Sequence, residues 1–297
     1  MDYLFSLLNY VAIYAVFALS LTFFSGELGL LSLGHVGFFG IGAYASAIVS
    51  LKLGLSFPLA AGIGVGAAAL AGFLLGLPVL RLLKGDYFVL VTLGFAEILR
   101  TLARDLSSFT GGAYGLSGIR HASLPGVYFG TQWSQLLFHA VLLAAVFLVV
   151  RGMVRSSFGR ALNCIRLDEI AYVSLGKNAF AAKLRALSVS AAIAGLSGVM
   201  FAHYTSVISP SSLGVDATVL VLCMVLVGGL GSVWGAVAGA AIVTVVPEVL
   251  ARTLGTVVAN QVFFVNQMLF GLALILIIRF RRDRAGRPAR LAAVSSS

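Results

Sequence analysis

The sequence predicts an all-α, polytopic integral membrane helix bundle with about 8–10 transmembrane helices, each needing ~20 apolar residues to cross a hydrocarbon core of ~30 Å. Three observations carry this expectation. Of the 297 residues, 60% are hydrophobic and a further 34 are glycine, well above the roughly 45–50% that such residues reach in soluble domains. Only 10% are charged, against about 25% in soluble domains, and mean hydropathy is +1.05. The apolar residues also fall in long runs between charges, prolines and glycines, as expected of helices that satisfy their own backbone groups in lipid. Disordered, collagenous and secreted disulfide-rich classes are excluded. Cys164 in a basic stretch and Cys223 in an apolar run offer neither a disulfide framework nor a metal site.

About nine spans follow in order. The first, near 4–24, has no basic residues before it, since the first lysine is Lys52, so it reads as a retained span rather than a cleaved leader. The short Ser25–Leu31 break separates it from the second, 32–51, which Lys52 closes. Pro58 opens the third, 57–80, and Arg81 and Lys84 end it. The fourth, 86–103, runs into Arg100 and Arg104, and the long connection 104–133 has room for a partial helix. Spans at 134–150 and 187–206 flank a polar segment, 151–185. Those at 217–230 and 233–250 are parted only by Gly228–Ser232, and the last, 262–279, meets an arginine-rich tail. The expected organisation is a transmembrane domain, 1–280, containing the polar segment 151–185, followed by a basic tail, 281–297.

Charge orients these spans. If Arg81, Lys84, the 151–185 segment and the tail from Arg279 share one side, only Lys52, Arg100, Arg104, Arg120 and Arg252 of the 20 Lys and Arg residues remain on the other. The richer side is then cytoplasmic by the positive-inside rule, and the C-terminus with it. The net charge of +10 is therefore mostly a topology signal, and the tail Arg279–Arg284 reads first as a stop-transfer anchor and second as a contact for anionic lipid headgroups. It is not a nucleic-acid surface, because the basic residues flank spans instead of forming a face with stacking aromatics.

Small residues spaced four apart let helices approach closely in a membrane, and Gly62–Gly64–Gly66 and Gly72–Gly76 are read as such faces. Glycines beside polar residues, as in Leu30–Gly37, instead suggest a break that could face a substrate group. Leu33-Gly34-His35-Val36 with Gly42-Ala43 is echoed at a constant offset by Leu230-Gly231-Ser232-Val233 with Gly239-Ala240, a faint parallel repeat. Glu97 has Arg100 three positions on and Glu248 has Arg252 four on, so both are expected to pair, which weakens a proton-coupled reading.

Enzyme signatures are missing. The four histidines are isolated, and Gly176-Lys177-Asn178 lacks both the Ser/Thr and the first glycine of a phosphate loop. In 151–185, Leu162, Ile165, Ala171 and Leu175 recur near helical spacing among charges, which predicts an amphipathic helix ended by Gly176, with Asp168 and Glu169 suited to a helix N-terminus. Such a helix lies on the membrane or seats in a partner's groove.

The run Gly29–Tyr44 resembles the early signature of the branched-chain amino acid ABC transporter permeases, of the LivM type. Gly85–Gly94, Gly112–Ile119, Ser157–Leu162 and Val227–Gly235 agree with that family in the same order, so the resemblance covers roughly 25–250. It implies a permease that pairs with a second permease of the LivH type and two ABC ATPases, and takes substrate from a binding protein. It implies no cofactor in this chain, ATP and Mg being held by the ATPases. It further implies that Glu169, Ala171 and Gly176, with Phe158, Gly159, Arg160 and Asp168 of the same segment, couple to an ATPase. Ile170 separates Glu169 from Ala171, and Gly176 lies one position beyond its place in the general importer pattern. Polar groups in glycine-rich spans, Ser32, His35, Tyr44 and Thr92, are the expected pathway residues. The expected function is ATP-driven import of branched-chain or related amino acids across the inner membrane. A permease for urea or short amides is the alternative, and a stand-alone ion-coupled carrier a third reading.

Overall fold

The computed structural model describes residues 2–83, 85–124, 127–128 and 130–253. Contacts divide the chain into two units, 1–245 and 246–297. The expected span 262–279 and the tail with its boundary at 280 lie outside the described residues. The helices are α1 (Asp2–Leu28), α2 (His35–Lys52), α3 (Phe57–Leu82), α4 (Asp86–Asp105), α5 (Ser107–Thr110), α6 (Gln132–Arg155), α7 (Ser157–Leu167), α8 (Glu169–Ser174), α9 (Ala179–Thr205), α10 (Val215–Gly228) and α11 (Val233–Thr253). The chain is a polytopic membrane helix bundle, and each of the first eight expected segments falls on one of these helices. By length and composition Tyr3–Leu28, Phe57–Leu82, Gln132–Arg155 and Ala179–Thr205 can each cross a membrane, and Val215–Gly228 and Val233–Val249 are shorter apolar helices.

Local chemistry sets the ends. Leu28 closes α1 because Gly29 turns left-handed (φ 72°), its N–H reaching Ser25 O at 3.0 Å, so the break before α2 is real and α2 starts later than expected, at His35. Pro58 sits in the first turn of α3, where its missing N–H costs nothing. Thr131 and Ser134 form a capping box at α6, and the Asn178 side chain accepts from Ala181 N at 2.9 Å to cap α9. Gly229 and Gly231, both at positive φ, make the short turn after α10. The partial helix expected in 104–133 is α5 with a following 3₁₀ turn, Gly112–Tyr114, and the same connection holds β1 (Leu116–Ser117), β2 (Ser123–Leu124) and β3 (Val127–Tyr128). Outside the all-helical expectation, β1 pairs antiparallel with β4 (Val207–Ile208), and β2 pairs with β3.

Within residues 1–245, α9 is the central helix and packs on α1, α2 and α3, while α6 packs on α1. Hydrophobic burial gives no preference for helix over lipid, so close backbone approach and interhelical hydrogen bonds must hold the contacts. Both are present. A Cβ on Gly72 would lie 2.5 Å from that of Ala191, and one on Gly64 would lie 2.7 Å from Gly42 O. The approach face of α3 is thus Gly64, Ala68, Gly72 and Gly76 at spacing four, all buried, whereas Gly62 and Gly66 face open space. The expected Gly62–Gly66 face is corrected accordingly, because those residues sit half a turn from Gly64. Ser190 Oγ donates to Ser20 O at 2.7 Å and Ser197 Oγ to Ile13 O at 2.8 Å, tying α9 to α1. His139 Nδ1 meets Asn9 Oδ1 at 2.6 Å, tying α6 to α1. Such bonds contribute about 0.6–2 kcal/mol each in membranes.

Connectivity sorts the charges between the two ends of this unit. The end that holds α7 and α8 also carries Arg81, which lies over the Phe180 ring at 4.5 Å. At the other end Lys52 Nζ donates to Ser108 O at 2.8 Å, and Glu97 pairs with Arg100 at 2.9 Å as expected. The two echoed stretches both open helices, α2 and α11, and Gly42 and Gly239 both meet a neighbouring helix backbone, at Gly195 and Met224.

Candidate functional site

The polar segment folds as two short helices, α7 and α8, in place of the single amphipathic helix expected. Asp168 divides them. Its backbone is extended (φ −154°, ψ 104°) and its side chain accepts from Ala171 N at 3.0 Å, so a carboxylate that caps α8 cannot also continue α7. Gly176 follows α8 at φ 75° and its N–H reaches Val173 O at 2.9 Å, the left-handed ending the sequence suggested.

A tight elbow leads into α7. Ser156 Oγ accepts from Phe158 N at 3.2 Å and from Gly159 N at 3.5 Å, and it donates to Met153 O at 2.6 Å. Gly159 is buried against the carbonyls of Met153 and Val154, so α7 folds back on the last turn of α6. Phe158 stands 6.5 Å from Phe23 of α1, ring centre to ring centre, and Arg160 donates to Arg155 O at 3.1 Å. Glu169 pairs with Lys183 of α9 at 2.6 Å.

The apolar positions divide between two surfaces. Leu162 and Ile165 are buried against the bundle, as is Tyr172, whereas Ala171 and Leu175 face outward. Leu167, Ile170 and Leu175 are 87%, 84% and 74% exposed, a concentration of bare aliphatic surface among charges. Beside it lies a groove of about 440 Å³ lined by Arg160, Cys164, Leu167, Asp168, Ala171 and Leu175, among others. Of the candidate coupling residues, Gly159 is buried, Phe158 and Glu169 are half-buried, and Arg160, Asp168, Ala171 and Gly176 are exposed.

Ser32, His35, Tyr44 and Thr92 are all buried within the chain. Thr92 Oγ1 accepts from Leu33 N at 3.2 Å and donates to Val89 O at 2.9 Å, clamping the α1–α2 break onto α4. His35 lies 2.6 Å from Ser190 Oγ through Nε2. Because the Ser190 hydroxyl gives its hydrogen to Ser20 O, a neutral His35 donates from Nε2 and keeps Nδ1 as an acceptor. Among the described residues that Nδ1, Ser32 Oγ and the Tyr44 hydroxyl have no partner. Ser32 lies in the break before α2, His35 opens α2, and Tyr44 lies further along it.

Four residues that sequence reasoning passed over meet at this end: Glu27, Asn163, Arg166 and Lys183. Glu27 had a signal, being the first acidic residue after Asp2 and lying directly beyond an apolar run. Nothing in its spacing identified Asn163 as its partner.

The profile of the family described as "Branched-chain amino acid transport system / permease component" matches residues 3–278. The high-affinity branched-chain amino acid transport system permease protein LivM of Escherichia coli is 40% identical over 263 residues, covering 81% of this chain and 61% of that protein. Its counterpart from Salmonella typhimurium is 38% identical over 265 residues, with 80% and 61% covered. The probable branched-chain amino acid transport permease protein LivM of Methanocaldococcus jannaschii is 26% identical over 227 residues, with 72% and 64% covered. The chain thus spans less than two thirds of the length of these relatives.

Proposed function

Because the chain belongs to the branched-chain amino acid transport permease family, we propose that it is the membrane-spanning subunit of an ATP-driven importer of branched-chain or closely related amino acids. It works beside a second, LivH-type permease, two ABC ATPases that hold ATP and Mg, and a substrate-binding protein. It sits in the bacterial inner membrane with α7, α8 and the tail 281–297 in the cytoplasm, in agreement with the charge asymmetry.

The observation that carries this reading is the bare aliphatic face of α7–α8 at the basic end of the bundle, beside a groove and joined to the spans by a short elbow. A helix pair of this kind suits insertion into a cleft on a cytoplasmic partner. Closure of the ATPases around ATP would displace it and shift the permease pair between outward-open and inward-open states, which drives transport only when those states bind substrate differently. Proteoliposomes test the scheme. With all partners and internal ATP, radiolabelled leucine accumulates. Without the ATPases it does not, and uptake by this chain alone under an ion gradient would refute the proposal. Accumulation of urea in place of leucine would select the short-amide alternative.

The spare hydrogen-bonding capacity of Ser32, His35 and Tyr44 supports a substrate path beside the start of α2, with Thr92 holding that start in place. His35→Ala is expected to lower uptake roughly two- to tenfold at unchanged abundance, the worth of one buried hydrogen bond of about 0.5–1.5 kcal/mol. Thr92→Ala should lower uptake together with thermal stability. Normal uptake in both variants would remove these residues from the path.

A further inference from the structure

Glu27 lies in the last turn of α1 and is 5% exposed, the one acidic side chain buried among the described residues. Its position is unfavourable twice over, since burial penalises a carboxyl group and the C-terminal end of a helix repels negative charge. The contacts that compensate come from α7. Asn163 Nδ2 donates to Glu27 Oε2 and also to Gly159 O at 3.2 Å. One turn further on, Arg166 Nη1 donates to Gly26 O at 2.6 Å, satisfying one of the last carbonyls of α1 with a cation. The Arg166 stem crosses Gly29, where a Cβ would lie 3.0 Å from its Cγ. On another side of the same turn of α1, a Cβ on Gly26 would lie 2.5 Å from Gly231 Cα, so the end of α1 also touches the glycine turn after α10.

Around this polar contact the fit is loose. A cavity of about 510 Å³, lined by Leu28, Gly29, Ile165, Arg166, Glu169 and Lys183 among others, leaves room between the end of α1 and the two short helices. Beyond the elbow to α6, the polar contacts of the two short helices with the spans among the described residues include Asn163 and Arg166 on α1 and Glu169 with Lys183 of α9. We propose that Glu27, Asn163 and Arg166 are positioning residues that clamp α7 to the end of α1, so that displacement of α7–α8 is delivered through α1 to the Gly229–Gly231 turn. The clamp rests on the importer reading and adds the route by which work done on the coupling face reaches the spans.

The test uses the complete importer in proteoliposomes and reads ATP hydrolysed per leucine accumulated. Asn163→Asp sets two carboxyl groups against each other. It is expected to raise that ratio roughly tenfold, within the range of ordinary coupling between sites, through lost uptake at near-normal hydrolysis. Adding Glu27→Gln to Asn163→Asp restores an amide–carboxylate pair with its direction reversed, and should bring the ratio back toward that of the unaltered protein. Arg166→Gln, a change at an exposed side chain that leaves the Glu27–Asn163 bond in place, should raise the ratio alone and covers the case in which Asn163→Asp fails to assemble. An unchanged ratio in all variants overturns the clamp, as does a parallel fall of uptake and hydrolysis that the double variant does not rescue. Uptake by the unaltered importer in the absence of its ATPases would instead overturn the reading on which the clamp rests.

Discussion

Gly195→Val is expected to remove most folded protein from the membrane, and what remains should unfold well below the unaltered chain in a detergent thermal melt. A Cβ at Gly195 would overlap that of Ala68 on α3, while the space next to Gly195 is already closed by Gly42 of α2, where a Cβ would overlap Gly195 O. These are contacts with backbone and with the shortest side chain, so no rotamer change relieves them. Overpacking a core ordinarily costs ~1–3 kcal/mol because neighbours adjust. Here α9 must move away from two helices together, and it is held to α1 by Ser190 and Ser197, so a larger loss is expected. Gly66→Ala is the internal control. Gly66 faces open space on α3, and alanine there should leave stability unchanged or raise it by ~0.5–1 kcal/mol through helix propensity. Equal loss in both variants would mean that the close approach of α2, α3 and α9 does not hold the bundle together.

That contrast also shows what sequence could reveal. Eight of the helices were visible because a span has a fixed length and composition, and their ends were marked by Pro58, Lys52 and Arg81. Which glycines mattered was not visible. Gly62 and Gly64 look alike in sequence, and only the rotation of α3, set by its packing on α9, turns one to open space and one to the core. The break at Asp168 is half legible, since its capping chemistry is plain in the sequence while the helical spacing of the apolar residues runs straight through it. The contact between Glu27 and Asn163 was beyond reach, because 136 positions of chain separate them and neither carries a pattern that names the other. Ser32, His35, Tyr44 and Thr92 stand out in the sequence by their polarity, but which of their atoms are spare and which satisfied depends on packing that no spacing reveals.

Gly159→Val should strongly lower ATP-dependent uptake while leaving a folded, membrane-inserted subunit. A side chain at 159 meets Val154 O, and its Cβ would lie 2.7 Å from Met153 O, the carbonyls of the last turn of α6. To accept it the elbow must open, which strains the Ser156 contacts to Phe158 N and Gly159 N that start α7. Opening the elbow swings α7 about the end of α6, and Phe158, Asn163 and Arg166 leave α1 together, since all three ride on the same rigid helix. The bundle itself does not depend on this elbow, because α9 packs on α1, α2 and α3 without it. The expected signature is therefore a normal thermal melt with leucine uptake lowered at least about tenfold, which corresponds to ~1.4 kcal/mol of lost coupling, and weaker co-purification of the proposed ATPases. Arg160→Ala, one position on, removes only the outward-facing Arg160 contact to Arg155 O and leaves the Ser156 contacts to Phe158 N and Gly159 N in place, so its effect should be smaller. Normal uptake in Gly159→Val would mean that the orientation of α7 is not what delivers ATP-driven motion to the spans.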